Sequence, residues 1–168
     1  MSSNPYSPPR AAVSDVEAAQ EYQEIRMWSA SGRLGRLRYL AYATGASLLA
    51  GAAAGLMGGL LGQSLGTGLA SLVYIAAVVF SVLVAIQRSH DMDWSGWMVL
   101  LTIIPFVGLI WVFKRGSEGT NSYGAPPPPN TLGVKILGLL LPVLFVVGIL
   151  AAIAIPAYVD YTRRAAGG

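Results

Sequence analysis

The sequence contains no cysteine, a single histidine and few charged residues. The lack of cysteine excludes disulfides, thiolate metal sites and thiol nucleophiles. One imidazole with a few carboxylates is a poor ligand set for zinc. Charged residues make up 11% of the chain and hydrophobic residues 54%, whereas a soluble domain has roughly 25% charged residues. The composition therefore predicts an integral membrane protein.

The sequence also lacks a strong basic charge and an N-terminal signal peptide. The net charge is only +3 and the basic residues are not gathered into one run, which predicts no nucleic acid partner. The N-terminal segment is polar and mixed in charge, without the early apolar run of a secretory signal peptide. The first apolar segment is therefore expected to be retained as a membrane anchor.

Long charge-free stretches are abundant instead. Residues 39–87 carry no charge, and this run is too long for one crossing, since ~20 residues span the hydrocarbon core. The natural break lies at residues 62–66. Each charge at mid-membrane costs roughly 2.5–3.5 kcal/mol, so charge-free windows of this length indicate crossings. We predict an all-α, polytopic transmembrane helical bundle of about four helices, at 39–61, 67–87, 94–113 and 136–159.

The polar segments divide the chain further. In the N-terminal tail, Ser14 and Glu17 form a capping box, and a short amphipathic surface helix is expected from Asp15 to about Trp28. A segment rich in glycine and proline predicts a stiff linker and domain boundary. The predicted parts are the polar tail 1–30, the three-helix membrane domain 31–113, the linker 114–133, and a transmembrane helix with a basic tail, 134–168.

Lysine and arginine positions predict a cytoplasmic N-terminus, because cytoplasmic loops carry an excess of these residues. Five arginines stand ahead of the first predicted span: Arg10, Arg26, Arg33, Arg36 and Arg38. The third predicted span is short and contains Pro105 and Gly108. If it crosses, both chain ends lie inside; if it dips in and returns, the C-terminal tail lies outside. The sequence leaves both versions open.

Small residues recur at every fourth position of the first predicted span. They are Ser47, Gly51, Gly55 and Gly59. In lipid this spacing is typical of closely packed helix backbones. The contact is expected within the chain, with a second copy, or with another membrane protein.

Polar residues gather around the end of the second predicted span. The candidate interfacial cluster is Arg33, Arg36, Arg88, His90, Asp91 and Asp93. The arginines are expected to contact lipid phosphates or to pair with Asp91 and Asp93. An enzyme would need His90 and Asp91 to converge with the arginines, and no nucleophile or phosphate-loop motif accompanies them. We therefore expect no catalytic residue, metal or cofactor.

Several of these residues carry a family resemblance. The first group precedes or begins the first predicted span: Gly32, Arg33, Leu34, Gly35, Arg36 and Tyr39. The second group follows the second predicted span: Arg88, Ser89, His90, Asp91, Ser95, Gly96 and Trp97. The third group lies in the predicted linker: Gly116, Ser117, Glu118, Gly119, Thr120, Asn121, Tyr123, Gly124 and Pro126. Over about residues 28–128 the chain resembles a bacterial inner-membrane family catalogued as domain of unknown function 805. The resemblance implies a small plasma-membrane protein and brings no substrate.

The last predicted helix resembles a different family. The run from Gly148 to Tyr158, followed by Asp160, is similar to the N-terminal helix of type IV pilins. The resemblance implies packing beside pilin-like helices. Val134 and Lys135 stand where pilins are cleaved, and Leu139 stands at the pilin glutamate, so we expect no processing and no role as a fibre subunit.

Together these observations predict a multi-pass protein of the bacterial inner membrane. Its partners are the lipid bilayer and, through the glycine-rich helix, itself or other membrane proteins. We expect a structural or protein-interaction component that acts by helix packing. The alternatives are a small transporter or channel subunit, or an accessory protein of a type IV pilus or secretion system.

Overall fold

The computed structural model describes residues 22–167. Every regular element in this range is helical: α1 (Arg36–Asp91), a 3-10 helix (Gly96–Ile103), α2 (Leu109–Phe113) and α3 (Leu132–Ala166). The only extended pairing in the described range is an isolated bridge between Asn121 and Gly124. The all-α prediction is confirmed.

Helix α1 is a hairpin rather than one rod. Gly62 has φ 73° and ψ 174°, a conformation open to glycine because it lacks a Cβ, and the chain reverses there. The two halves, 36–61 and 63–91, pack side by side: the rings of Tyr42 and Phe80 lie 6.3 Å apart, and Gly66 lies against the backbone of Met57. The predicted break at 62–66 is confirmed at its first residue.

Helices α1 and α3 are long and apolar enough to cross a membrane. Only 11% and 6% of their most apolar windows are buried, so they are not core helices of a water-soluble globule. Each half of α1 exceeds the ~20 residues that span the hydrocarbon core.

The predicted third span, 94–113, is wrong as a continuous helix. The 3-10 helix ends at Ile103, a turn follows, and α2 is only five residues long. Pro105 lies in this turn and has no N–H to continue a helical ladder, and the next residue, Phe106, has φ 66°. Hydrophobicity marked this segment correctly as apolar, but its backbone turns where a crossing helix would have to continue.

Both ends of this segment lie beside the same residue. The backbone N–H of Trp94 donates to the Ser89 carbonyl at 3.0 Å, and the indole N–H of Trp111 donates to the Ser89 hydroxyl at 2.8 Å. The two indole rings meet edge to face at 5.7 Å. The segment therefore leaves the end of α1 and returns to it.

The predicted surface helix is not formed where the structure describes it. Residues 22–28 are not helical; the backbone N–H of Gln23 donates to the Pro126 carbonyl at 3.2 Å, and Trp28 packs on Phe80 at 5.2 Å. These contacts hold the segment against the rest of the protein without regular structure, and it ends in a turn at residues 27–28. The remainder of the predicted helix and its capping box, Ser14 and Glu17, lie outside the described residues.

The segment predicted as a linker is folded against α1. Arg38 donates to the carbonyls of Pro128 and Pro129 at 3.1 and 3.0 Å. Proline lacks an N–H but keeps its carbonyl as an acceptor, so this stretch binds arginine instead of separating two domains. Helix α3 then begins after Thr131, which caps it, and Gly138 lies against the backbone of Leu37.

Candidate functional site

The polar residues singled out from the sequence lie where the two ends of α1 meet. The backbone N–H of Leu34 donates to the Gln87 carbonyl at 3.0 Å, which ties the chain before the hairpin to its last turn. Arg33 and Arg88 are the neighbours of these two residues. The hairpin therefore brings residues far apart in sequence to one end, just beyond the charge-free stretch 39–87.

Asp91 is the centre of this cluster. Its Oδ1 lies 3.2 Å from Arg33 and its Oδ2 lies 2.6 Å from Arg88. Both arginine side chains are 0% exposed and that of Asp91 is 6% exposed. Charges buried to this extent are costly unless they are paired and hydrogen-bonded. We refer to Arg33, Arg88 and Asp91 as the ion cluster.

Backbone carbonyls complete the ion cluster. Arg33 donates to the carbonyls of Ser117 at 2.6 Å and of Gly119 at 2.5 Å, and also to that of Gly124 at 3.1 Å. Gly119 and Gly124 have φ of 63° and 118°, conformations that favour glycine. The loop 117–124 is therefore wrapped around one guanidinium.

Arg88 is held in the same way by the returning segment. Its Nε donates to the Trp111 carbonyl at 2.9 Å, and a terminal nitrogen donates to the Lys114 carbonyl. Burial lowers the pKa of Arg88 to about 10, while Asp91 acts in the opposite direction. Burial raises the pKa of Asp91, and both arginines oppose that rise. The guanidinium of Arg88 stays protonated at neutral pH.

His90 also contacts the loop 117–124, and it joins this loop to the segment before α1. Its Nδ1 donates to the Gly32 carbonyl at 3.1 Å, since a carbonyl only accepts. Its ring stacks on that of Tyr123, with centroids 3.9 Å apart and planes 5° apart. Asn121 donates to the His90 carbonyl at 2.8 Å.

Two of the predicted cluster residues stay outside it. Arg36 is exposed and donates to the Phe113 carbonyl at 3.1 Å. Asp93 is exposed and accepts from the backbone N–H of Ser122 at 3.2 Å. The structure thus brings together Arg33, Arg88 and Asp91, places His90 beside them, and leaves Arg36 and Asp93 at the rim.

Sequence reasoning missed the residues that close the cluster. These are Trp111, which is fully buried, and Ser117, Asn121 and Tyr123 of the loop. A short polar loop with two glycines and an aromatic residue between apolar segments was the available signal. The composition of this loop is also that of a linker, and nothing in its local sequence indicates that it contacts Arg33.

The charged groups of the ion cluster are engaged with one another. Both carboxylate oxygens of Asp91 are engaged by arginines, so neither is free to take a proton from a substrate. Within residues 22–167, no three His, Cys, Asp or Glu side chains lie together as a metal site would require. The cluster joins the hairpin ends, the returning segment and the loop at one point.

Acidification is expected to loosen this loop. Burial lowers the pKa of His90, opposed by its bond to Gly32, so the folded state binds the proton less well than the unfolded state. The stability that the neutral ring contributes is complete above its ordinary pKa of about 6.5 and declines as the pH falls below it. Trypsin cleavage after Arg115 should therefore accelerate between neutral and mildly acidic pH, after correction for trypsin's own pH dependence. A His90→Phe variant, which keeps the stacking, should lose this pH dependence.

The predicted small-residue face is not used inside the described part of the chain. A Cβ added at Gly51, Gly55 or Gly59 would have no atom within 4 Å, and Ser47 is exposed, donating to the Ala43 carbonyl. The hairpin halves instead meet through neighbouring small residues, among them the buried Gly66. Packing within the chain therefore does not account for the glycine spacing in residues 22–167.

This fold and cluster define a small α-helical membrane protein whose hairpin ends are locked by a buried Arg–Asp–Arg arrangement. The chain belongs to the family described as "Protein of unknown function (DUF805)", whose model matches residues 27–125. The matched range contains the hairpin, the returning segment and the whole of the loop 117–124 around Arg33.

Two relatives in Escherichia coli are named as inner membrane proteins. The chain is 40% identical to YhaI over 62 residues, which cover 34% of this chain and 52% of YhaI. It is 44% identical to YhaH over 48 residues, which cover 26% of this chain and 40% of YhaH. The chain thus spans about half the length, or less, of the curated relatives it matches. No solved structure matches it.

Proposed function

We propose that this protein is a structural or protein-interaction component of the bacterial inner membrane that acts by helix packing. The observation that carries the proposal is the open face of Gly51, Gly55 and Gly59, which has no neighbour within 4 Å in residues 22–167. Glycine lowers helix stability by about 1 kcal/mol relative to alanine. Three glycines on one lipid-level face are explained by a helix from another chain that approaches the backbone closely.

The ion cluster supports the same role. It rigidifies the end of the hairpin and so fixes the direction in which the glycine face points. A packing surface gains affinity when it is held in its bound form beforehand.

Leucine at Gly51 and Gly55 together is expected to abolish the complex while leaving the monomer folded. The added side chains meet open space within the chain but would block a close helix partner. Crosslinking in native membranes followed by size analysis should show the higher assembly in the wild type and its loss in the variant. Gly68→Leu is the matched control, since Gly68 also has nothing within 4 Å. An assembly unchanged by Gly51→Leu and Gly55→Leu would reject the proposal.

The proposed topology has a cytoplasmic N-terminus and three crossings: the two halves of α1, and α3. Residues 94–113 enter and return on the cytoplasmic side. This arrangement places nine of the eleven Lys and Arg residues on the cytoplasmic side, in accordance with the excess of positive charge there. Only Arg163 and Arg164 lie outside.

Reporter fusions at Gly124 and after Gly168 test this topology. A cytoplasmic reporter should be active at Gly124, and a periplasmic reporter should be active at the C-terminus. Four crossings would reverse both results. The same fusions therefore distinguish a returning segment from a complete third span.

A channel or transporter subunit is the second candidate, favoured by one groove. A cavity of about 470 Å³ lies between the halves of α1 and the 3-10 helix. Hydroxyl-bearing residues line it: Tyr39, Ser47, Tyr74, Ser81 and Thr102. Ion flux in reconstituted liposomes that falls in a Ser81→Val variant would support this candidate; the absence of flux would remove it.

An accessory role at a type IV pilus or secretion system rests on α3. Residues 143–150 of this helix are all exposed, which leaves an apolar surface for pilin-like helices. Proximity labelling from the C-terminus should recover such helices if this role is correct. Recovery of unrelated membrane proteins alone would argue against it.

A further inference from the structure

One ring nitrogen of the single histidine is not used by the cluster. Nδ1 of His90 donates to Gly32, so Nε2 of the neutral ring is an acceptor. No residue between 22 and 167 donates a hydrogen bond to this nitrogen. The residue is only 9% exposed. Within residues 22–167, Thr44 Oγ1 is the one buried side-chain N or O atom without a partner, so Nε2 of His90 is accessible at its surface and its lone pair is available to a donor.

The open nitrogen faces a cavity of about 460 Å³ between the second half of α1 and the 3-10 helix. Gly96 keeps the approach clear, because a Cβ there would lie 3.2 Å from Nε2 and 2.9 Å from Ile86. Two aromatic side chains, Trp97 and Tyr123, form part of the wall. The cavity is therefore open at the nitrogen and flanked by flat rings.

Ser95 also lines the cavity, and aliphatic residues line it along α1 in the direction of the charge-free stretch. Val82, Ile86 and His90 line it at successive turns of α1, a distance of about 12 Å at 1.5 Å per residue. Val99 and Leu100 of the 3-10 helix also line it. A lining in which His90 and Ser95 supply polar groups and the other walls are aliphatic or aromatic matches an uncharged head group on an apolar chain.

We propose that this cavity binds a phenolic lipid of the quinol class, a flat aromatic head bearing a hydroxyl on an apolar chain. The hydroxyl donates to Nε2 of His90, the head packs against Trp97, and the chain follows Val82 and Leu100. Aromatic rings gain from offset or edge-to-face packing beyond the area they bury. An alkyl chain alone would leave Nε2 unpaired. The site is separate from the glycine face and independent of the proposed helix-packing role.

The single histidine makes a direct test available. The full-length protein, carrying isotope-labelled histidine and embedded in lipid nanodiscs, gives one pair of ring-nitrogen resonances. Anaerobic titration with a decyl-substituted benzoquinol should shift the Nε2 resonance and leave Nδ1 in place. The oxidised quinone has no hydroxyl donor and should bind about five- to tenfold more weakly, as expected for the loss of one hydrogen bond.

Variants separate this site from general lipid contact. Gly96→Ala should weaken quinol binding at least about fivefold, because its methyl group occupies the approach to Nε2. Trp97→Leu should weaken quinol binding severalfold. Because Trp97 is exposed, this substitution should leave the stability of the fold unchanged. Gly133→Ala, which meets nothing within 4 Å, should bind as the wild type does.

Three results would overturn the proposal. The first is an Nε2 resonance that the quinol does not move. The second is equal binding of quinol and quinone. The third is a long-chain alcohol that binds as tightly as the quinol, since it would show that the aromatic walls select nothing. If Gly96→Ala does not fold, Trp97→Leu decides, and wild-type affinity in that variant counts against the site.

Discussion

Replacing Asp91 with alanine is expected to destabilise the protein by about 3–5 kcal/mol, the cost of removing one partner from a buried ion pair. The substitution leaves two arginines, both 0% exposed, without their counter-charge. It also removes the group that holds Arg33 beside the loop 117–124. Detergent-dependent unfolding followed by tryptophan fluorescence should report the loss, because Trp111 is buried against Arg88 and Ser89.

The matched control is Asp93→Asn. Asp93 is exposed, carries no ion pair among residues 22–167, and has φ 58°, which asparagine tolerates. Its stability should change by less than about 0.5 kcal/mol. If Asp91→Ala were as mild as Asp93→Asn, the ion cluster would not be the fastening point of the hairpin ends.

The hairpin could be predicted because its cause is local. A charge-free run too long for one crossing, with Gly62 at its middle, requires a break, and glycine is the residue that accepts φ 73°. The predicted halves, 39–61 and 67–87, lie within the helical segments 36–61 and 63–91 on either side of the break. Length and charge were sufficient for this part of the fold.

The returning segment could not be predicted in the same way. Residues 94–113 are as free of charge as a true span, and hydrophobicity does not record direction. What reverses the chain is the turn around Pro105 together with the bonds of Trp94 and Trp111 to Ser89. Pro105 was visible in the sequence. The common contact of Trp94 and Trp111 with Ser89 was not, because it depends on the folded positions of these residues.

For the ion cluster, the sequence predicted the region in which the charged residues meet but not which of them form pairs. The sequence indicated that the arginines before α1 and the acids after it share one end of a hairpin. It did not indicate that Arg33 pairs with Asp91 while Arg36 does not. Arg33 precedes the first turn of α1 and points back into the loop, whereas Arg36 lies on the helix and reaches only the Phe113 carbonyl. That choice is made by three-dimensional packing.

The glycine spacing shows the same limit. Spacing of four residues identified a close-contact face, but it did not identify which partner fills it. Within the hairpin, the two halves of α1 approach each other closely at Gly66, which belongs to the second half. A Cβ at Gly66 would lie 2.5 Å from the Met57 carbonyl oxygen and 2.8 Å from the Gly58 Cα of the first half. Gly66 is buried, whereas Gly51, Gly55 and Gly59 are exposed.

Gly66→Leu is therefore expected to be the most damaging glycine substitution in α1. The atoms that its side chain meets belong to the backbone of the opposite half, which cannot rotate away, so the halves must separate or the turn at Gly62 must change. Overpacking typically costs 1–3 kcal/mol and occasionally more; we expect about 3 kcal/mol here because the contacts are with the backbone. The same unfolding measurement should detect this loss, since Trp28 packs on Phe80 of the second half.

Gly68→Leu distinguishes this close contact from the general effect of adding a large side chain. Gly68 lies two residues further along the same half, faces open space, and gains helix propensity from the change to leucine. Its stability should stay the same or rise slightly. A Gly66→Leu variant as stable as Gly68→Leu would mean that the two halves of α1 do not pack through Gly66. The hairpin would then have to be held by the ion cluster at its open end alone.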